Sequence, residues 1–533
     1  MRIPAANFDD VPGDLPKGNV PEDVDLDALA NRAIAQIDER HGLTLTQDET
    51  WRDLFAFTDT YRTIVGQDSV LSTLSKYRED ADCSGFERNE TVSRRGSVGP
   101  GSSWVDVDAS FTFVKDGLPA HGQAILSVTR DTEGQLGLWP GSGVKTNLGM
   151  YDVLIVGGGQ SGLSVAGRLQ ALGIRYFLLE TYEALGDVWR TRYASLRWHT
   201  PREYGNLPFG RMFANDIPEL VPARAIGNAH EAWAKTYRIN ALTDCAIECA
   251  NYIGDSWQVQ ADHAGAKKNF EATNLVLAIG PGTMHPYRPH WGTADAVHAS
   301  GFRGKVVHAK EYDHCQDWVG KGARGVCVGT ANTGHDIVED MANAGMQTTM
   351  LQQGSTFVLP GEWLLVAEGA HYNAHISNDI ADQEQLTMPY KLLREIMNTN
   401  IHAGIRANPD RFDQLENAGF KLDRFGDLYT NIFTRFSGHY IDTGASTRIA
   451  DGEIQMVSTS VRRLVADSLE LEDELVLPCD LVVLATGYDH DFRKDAANIL
   501  GAETADRMDD YHGMDCEGEI RGCAKFAGDS VEA

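Results

Sequence analysis

Two stretches of this chain have the residue types and spacing to hold a pyrophosphate. The first, YDVLIVGGGQSGLSVAGRLQALGIRYFLLE, runs from Tyr151 to Glu180. Tyr151 to Val156 is strand-like, and Gly157-x-Gly159-x-x-Gly162 opens a helix that stops at Leu172-Gly173. Arg175 to Leu179 is a second strand, closed by Glu180. Gly157 permits the tight turn, Gly159 lets backbone approach the pyrophosphate, and Gly162 packs helix on strand. Gln160 and Ser161 stand at the helix N-terminus, whose free N–H groups face the anion. Glu180 follows Gly162 by 180 − 162 = 18 residues, where a carboxylate accepts ribose hydroxyls. The second stretch begins at Gly325, and its turn comes 329 − 157 = 172 residues after the first. Val326 to Val328 is the strand, and Gly329-x-Ala331-x-x-Gly334 is the turn. Asn332 and Thr333 open the helix, which runs to Ala344, and Gln347 to Leu351 is the next strand. The methyl of Ala331 crowds the pyrophosphate without blocking it. Two such units in one chain point to a flavoprotein that takes electrons from a nicotinamide.

The elements around these turns set the expected architecture. Leu275 to Ile279, followed by Gly280-Pro281-Gly282, ends the first segment of an FAD domain. Asp480 to Ala485, followed by Thr486-Gly487-Tyr488, returns the chain to that domain. The predicted fold is α/β with two Rossmann-like domains, the nicotinamide domain inserted in the FAD domain, plus an N-terminal α+β domain. The expected boundaries are an arm over 1–25, the N-terminal domain over 26–139 and a linker over 140–149. The FAD domain takes 150–300 and 441–533, and the nicotinamide domain with a helical insertion takes 301–440. Before residue 140 the pattern predicts helices over Asp27–Arg40 and Asp48–Val65, then period-two strands from Trp104 onward. By element order this unit resembles the cone-shaped fold of polyketide cyclases and nuclear transport factors. It is expected to serve dimerisation or packing.

The totals exclude several classes. The chain has 533 residues, too many for one core. Its 76 acidic and 47 basic residues give a charge of −29, which repels phosphate backbones and anionic lipid. Neither nucleic acid nor membrane is expected as a partner, and no apolar run reaches the ~18 residues of a spanning helix. The N-terminus lacks a basic region followed by an apolar one, so the expected compartment is the cytoplasm. The eight cysteines include no CxxC and no metal-ligand spacing, so they are expected to be reduced. No cysteine pair follows the first helix, which argues against a disulfide reductase. His371 and His375 are four apart but lack a third ligand, so no metal is expected.

Between the two turns lies FRGKVVHAKEY. Phe302-x-Gly304-x-x-x-His308-x-x-x-Tyr312 matches the fingerprint FxGxxxHxxxY/F and ends 329 − 312 = 17 residues before the second turn. Ala485-Thr486-Gly487-Tyr488 matches an ATGY segment, and Leu185-Gly186-Asp187-Val188-Trp189 is similar to a GGxW element with Asp187 in place of a glycine. On these motifs residues 150 to 490 resemble the class B flavin-dependent monooxygenases, in their fungal and plant branch.

The resemblance implies FAD, NADPH, molecular oxygen and a small organic substrate, with one oxygen atom inserted through a flavin hydroperoxide. It implies that Trp189 packs near the flavin and that the segment Arg197 to Glu203 lines it. His199 and Thr200 then lie beside the reacting centre, with His199 the candidate to hydrogen-bond the oxygen adduct. Thr486 and Gly487 touch the cofactor, and Phe302, Gly304, His308 and Tyr312 form a hinge rather than a catalytic acid. Where relatives carry an arginine for the NADPH 2′-phosphate, this chain has Gln353, assisted by Ser355 and Thr356. Glutamine offers no charged fork, so NADH use stays open. The tyrosine ending of the fingerprint leans toward oxygenation at nitrogen or sulfur. Baeyer–Villiger oxygenation and oxidative decarboxylation of a 2-oxo acid are the alternatives. An NAD(P)H oxidase releasing hydrogen peroxide and a non-catalytic scaffold are the rivals from other classes.

Overall fold

Buried apolar runs form two parallel sheets, and each ends in one of the glycine turns. In the first, Val153–Val156 lies between Tyr176–Leu179 and Asn274–Leu277, with Ala241–Leu242 at the edge. All three pairings are parallel, as βαβ crossovers require. The helix Gln160–Ala171 covers this sheet with Leu163 and Ala166, both fully buried. In the second sheet the order is Lys305–His308, Leu481–Leu484, Arg324–Val328, Gln347–Leu351 and Ile454–Val457, again all parallel. Its helix, Asn332–Asn343, buries Ile337, Val338 and Met341. Antiparallel three-stranded sheets lie at Cys245–Ala272 and Val461–Pro478.

The computed structural model describes residues 153–508 except 255 and 281–284, and residues 512–521. Before these it describes 11, 20–38, 50–54, 61–80, 84–88, 94–97, 102–115, 118–130 and 136–139. The linker 140–149, most of the arm 1–25, Tyr151 and Pro281-Gly282 lie outside the described residues. By contacts the chain divides into two units. One gathers 1–149, 379–400 and 508–530, and the other 150–378, 401–507 and 531–533.

In the first unit the expected helix is present as Leu26–Asp38, begun by Asp25, whose Oδ1 accepts from the Asp27 and Ala28 N–H groups at 3.0 and 3.1 Å. Leu29, Ala30, Ala33, Ile34 and Ile37 form its buried stripe. They pack on Val105, Val107, Ala109 and Phe111, which alternate along the strand Ser103–Lys115. Trp104, on the same strand, packs against Leu392 with Met388 and Ile396.

Three expectations change. The helix predicted over Asp48–Val65 is an antiparallel hairpin, Thr50–Leu54 with Tyr61–Val65, and Gly66 at φ +88 turns it into the helix Gln67–Asp80. Its Tyr, Thr, Ile and Val content suits a pleated strand better than a helix. The strand Leu481–Leu484, expected in the returning part of the FAD domain over 441–533, sits in the second sheet between Lys305–His308 and Arg324–Val328. Ile454–Val457 is in the same sheet, so the chain leaves it only at Thr486. The four residues of Leu481–Leu484 are all buried, as a strand inside the sheet demands. Residues 379–400, expected within the nicotinamide domain, cluster with the N-terminal unit.

The core of the second unit holds uncharged histidines. His335 is fully buried and stacks on Tyr440 with ring centroids 3.6 Å apart. Burial pushes His230, His335 and His439 down to about 4. Between pH 6.5 and 4 the unfolded chain therefore binds more protons than the folded one, and stability falls as the pH falls. Each histidine contributes roughly 1.4 kcal/mol per pH unit in that window. Urea denaturation at stepped pH should give a near-flat stability above pH 7 and a decline below about 6.5. His335→Phe, which keeps the stack, should lower that slope by roughly a third. An unchanged slope would count against the buried neutral imidazole.

Candidate active site

The first turn is built to admit a ligand. Gly157 adopts φ +104, and a Cβ there would stand 2.4 Å from the Ala278 carbonyl oxygen. A Cβ on Gly162 would stand 1.8 Å from the Gly157 oxygen, so helix and turn meet only through glycine. A Cβ on Gly159 meets nothing within 4 Å. That open approach at a helix N-terminus fits a dinucleotide pyrophosphate. Gln160 and Ser161 open the helix as expected. Glu180 is buried, and its carboxylate accepts from the N–H groups of Gly158 at 2.6 Å and Tyr182 at 2.9 Å. These bonds fix its orientation at the strand end, and a carboxylate retains lone pairs for a ribose. Trp189 packs edge-on to Trp198, with centroids 5.8 Å apart.

The second turn repeats the geometry. Gly329 adopts φ +119, and Gly334 comes so close that a Cβ would lie 2.2 Å from the Gly329 oxygen. Asn332 accepts from the Ile441 N–H at 2.8 Å and so ties the helix start to the strand His439–Asp442. Of the residues expected to meet a 2′-phosphate, Gln353 and Ser355 are exposed. Thr356 is not available: it is buried, with its hydroxyl 2.6 Å from that of Thr330 and 3.4 Å from the Gln352 amide. Another segment of the chain brings a cation beside this strand end. Lys421 Nζ donates to the main-chain oxygens of Gln353 at 3.3 Å and Ser458 at 2.9 Å. Lys421 pairs with no carboxylate among the described residues.

The fingerprint lies on the strand Lys305–His308 and the turn after it. A Cβ on Gly304 would stand 2.4 Å from the Asp480 oxygen, so only glycine lets this strand start beside Leu481–Leu484. His308 is fully buried. Its Nδ1 accepts from the Lys310 N–H at 3.1 Å, so Nε2 carries the proton and donates to the Gly487 oxygen at 3.1 Å. Gly487 in turn accepts from the Tyr287 N–H at 3.0 Å, and Thr486 Oγ1 donates to the Tyr287 oxygen at 2.5 Å. His308, Thr486 and Gly487 thus join the two strands of chain that cross between the nucleotide domains. Burial depresses the His308 pKa, as does the charge of Arg288, and it is held neutral as a structural donor. Tyr312 donates to Asp340, which also accepts from the Cys315 N–H at 2.9 Å. Burial, then the Asp340 carboxylate, push the Tyr312 phenol far above its usual range.

Asp336 stands one turn before Asp340 on the same helix. It is buried and accepts from the Tyr193 hydroxyl at 2.9 Å. The Asp313 oxygen, next to Tyr312, accepts from the Ala194 N–H at 2.9 Å. The fingerprint, the second turn's helix and the arm bearing His199 are therefore tied together. His199 is largely buried and Thr200 half-buried beside it. Asp336, Asp340, Tyr193 and Lys421 were not found from the sequence. The i, i+4 spacing of the two aspartates was the available signal for that pair. Lys421 lies 68 residues from Gln353 and offered none. Among the described residues no cluster of His, Cys, Asp and Glu is placed to hold a metal, and no helix is long and apolar enough to cross a membrane.

Two glycine turns, each at the end of a parallel sheet and joined by a buried hinge, define a chain built to hold two dinucleotides. Residues 243–503 match the flavin-binding monooxygenase-like family. A probable indole-3-pyruvate monooxygenase of Arabidopsis thaliana, YUCCA9, is 27% identical over 338 residues, covering 63% of this chain and 74% of that protein. The indole-3-pyruvate monooxygenase YUCCA1 of Oryza sativa is 25% identical, covering 66% and 80%. Among solved structures, an NADP-bound steroid monooxygenase aligns at TM-score 0.48 with 17% identity, over 66% of this chain and 74% of that one. A flavin-containing monooxygenase of Stenotrophomonas maltophilia aligns at 0.44 with 16% identity, over 66% and 81%. The family match thus covers just under half of the chain, and the relatives it resembles support a class B flavin-dependent monooxygenase.

Two substitutions test this geometry. Lys421→Ala should raise the KM for NADPH by about 10-fold, the worth of one charge-assisted bond, and leave the KM for NADH within about twofold. Equal effects on both nucleotides in steady-state kinetics would remove Lys421 from the phosphate site. His308→Ala should retain FAD by absorbance yet release more peroxide per nucleotide oxidised. A fully coupled variant would leave the fingerprint without a part in the cycle.

Proposed function

We propose that the protein uses FAD and NADPH to insert one oxygen atom into a small carbonyl compound, with a 2-oxo acid favoured. The balance is substrate, O2, NADPH and a proton in, and oxygenated product, water and NADP+ out. For a 2-oxo acid, carbon dioxide leaves as well. The bound flavin supplies the oxygen activation, and the chain supplies position, dryness and protons. The carrying observation is Arg192. It is half-buried, its guanidinium carbon lies 5.9 Å from the centre of the Tyr193 ring, and it has no carboxylate partner among the described residues. In a chain of charge −29 such a cation is a ready receptor for a substrate carboxylate. The chemistry named for the relatives, oxygenation of indole-3-pyruvate, supports the same reading. Lys421 beside Gln353 supports NADPH over NADH.

Oxygenation at nitrogen or sulfur is the second reading, favoured by Tyr312 at the end of the fingerprint. The two separate in one assay. NADPH oxidation, peroxide and product are measured in parallel with aromatic and aliphatic 2-oxo acids, ketones, amines and sulfides. Nucleotide oxidation coupled to product with a 2-oxo acid, and lost at least tenfold in Arg192→Ala, is the expected outcome. Coupling only with amines or sulfides would replace the carbonyl reading. Peroxide equal to NADPH with every compound would replace both with an oxidase.

A further inference from the structure

We infer that Asp336 is the positioning residue for His199: it takes the Nε2–H and leaves Nδ1 as a proton-accepting nitrogen. The inference deepens the reading of His199 as the residue beside the reacting centre, and rests on it.

The first observation is an orphaned pair. His199 Nε2 is buried and has no hydrogen-bond partner. Facing it at 3.8 Å is Asp336 Oδ1. That distance is too long for a hydrogen bond, and a bridging water would need about 5.5 Å. Nothing fits between the two groups, so the pair closes by a shift of roughly 1 Å.

The second observation is the charge of Asp336. Its side chain is 4% exposed, and a buried carboxylate needs a cationic or donor partner. One oxygen has the Tyr193 hydroxyl. The Ser195 hydroxyl holds the Asp336 main-chain oxygen at 3.2 Å. The second oxygen faces His199. No lysine or arginine of the described residues pairs with Asp336. The other groups around this helix do not compensate it. Glu339 and Asp340 are acidic, and Arg448 is paired with Glu453. Arg197 is exposed, and it lines a cavity of about 440 Å³ with Asp336, Glu339 and Thr443. His335 and His439 are held neutral by burial, and His335 Nδ1 is committed to the Ala331 oxygen at 3.2 Å. His199 is the base left to meet the carboxylate.

The third point is the tautomer. An imidazole that donates through Nε2 to a carboxylate presents Nδ1 as a lone pair. Such a group removes a proton rather than donating one, which suits attack on a carbonyl. Asp336 sits one turn inside the helix that opens at Asn332 and Thr333.

The test uses the flavin-loaded enzyme labelled with 15N-histidine. The His199 signals are those missing from His199→Ala. Long-range 1H–15N correlation should place the His199 proton on Nε2 in the natural protein. Asp336→Asn should move it toward Nδ1, lower the fraction of NADPH coupled to product at least tenfold, and leave the KM for NADPH within twofold. Asp336→Glu should restore the tautomer in part. A proton on Nδ1 in the natural protein, or a tautomer unchanged in Asp336→Asn, overturns the inference. Should Asp336→Asn not fold, the tautomer of the natural protein decides alone. Full coupling in His199→Ala would sink the reading of His199 itself, while the tautomer still decides what Asp336 does.

Discussion

Two carboxylates one helical turn apart organise the nucleotide-binding unit. Asp336 and Asp340 project from the helix Asn332–Asn343, and each is held by a tyrosine from another part of the chain. Tyr193 belongs to the arm of the first nucleotide domain, and Tyr312 ends the fingerprint. A helix normally interacts with its neighbours through an apolar stripe that tolerates sliding. A buried phenol–carboxylate bond tolerates none, because a shift leaves both groups desolvated and unpaired. The helix that must face a dinucleotide with its N-terminus is therefore fixed along its length. The same bonds fix the arm carrying His199.

Much of this plan was legible in the sequence, because it rests on backbone conformation. Positive φ at Gly157 and Gly329, and contacts under 2.5 Å at Gly162 and Gly334, can be met only by glycine. The spacing of those glycines therefore announces the fold. The fingerprint was legible for the same reason at Gly304. The remainder depends on residues that meet through space. Lys421 reaches Gln353 only because Thr356 and Lys421 lie on adjacent chain segments, with the Thr356 N–H donating to the Lys421 oxygen. Asp336 looks like any polar residue on a helix until Tyr193 is folded onto it. Thr356 reads as a polar ligand candidate but is spent in the interior. The hairpin Thr50–Leu54 with Tyr61–Val65 shows the opposite failure. Its aromatic residues match a helical face by spacing, and the pairing partner decides the matter.

Charge and burial act in opposite senses. The surface is strongly acidic, while the interior keeps its ionisable groups neutral or pinned. Histidines at 230, 335 and 439 are uncharged in the core, and His308 serves as a donor between crossing strands. Arg192 and Lys421 are among the cations that have no carboxylate partner among the described residues.

The placement of Leu481–Leu484 bears on how the protein is made. This strand is the neighbour of both Lys305–His308 and Arg324–Val328, yet it follows the latter by 481 − 324 = 157 residues. At about 5–20 residues per second, the ribosome needs roughly 8–30 s to supply it. The first sheet is complete at Leu277 and can close during that interval. The second turn, by contrast, emerges with its sheet split and two edges exposed. The hinge residues that join the two nucleotide domains cannot form until that gap is filled. Domain coupling thus comes late in synthesis, and a nascent chain can hold one dinucleotide site well before it can hold two.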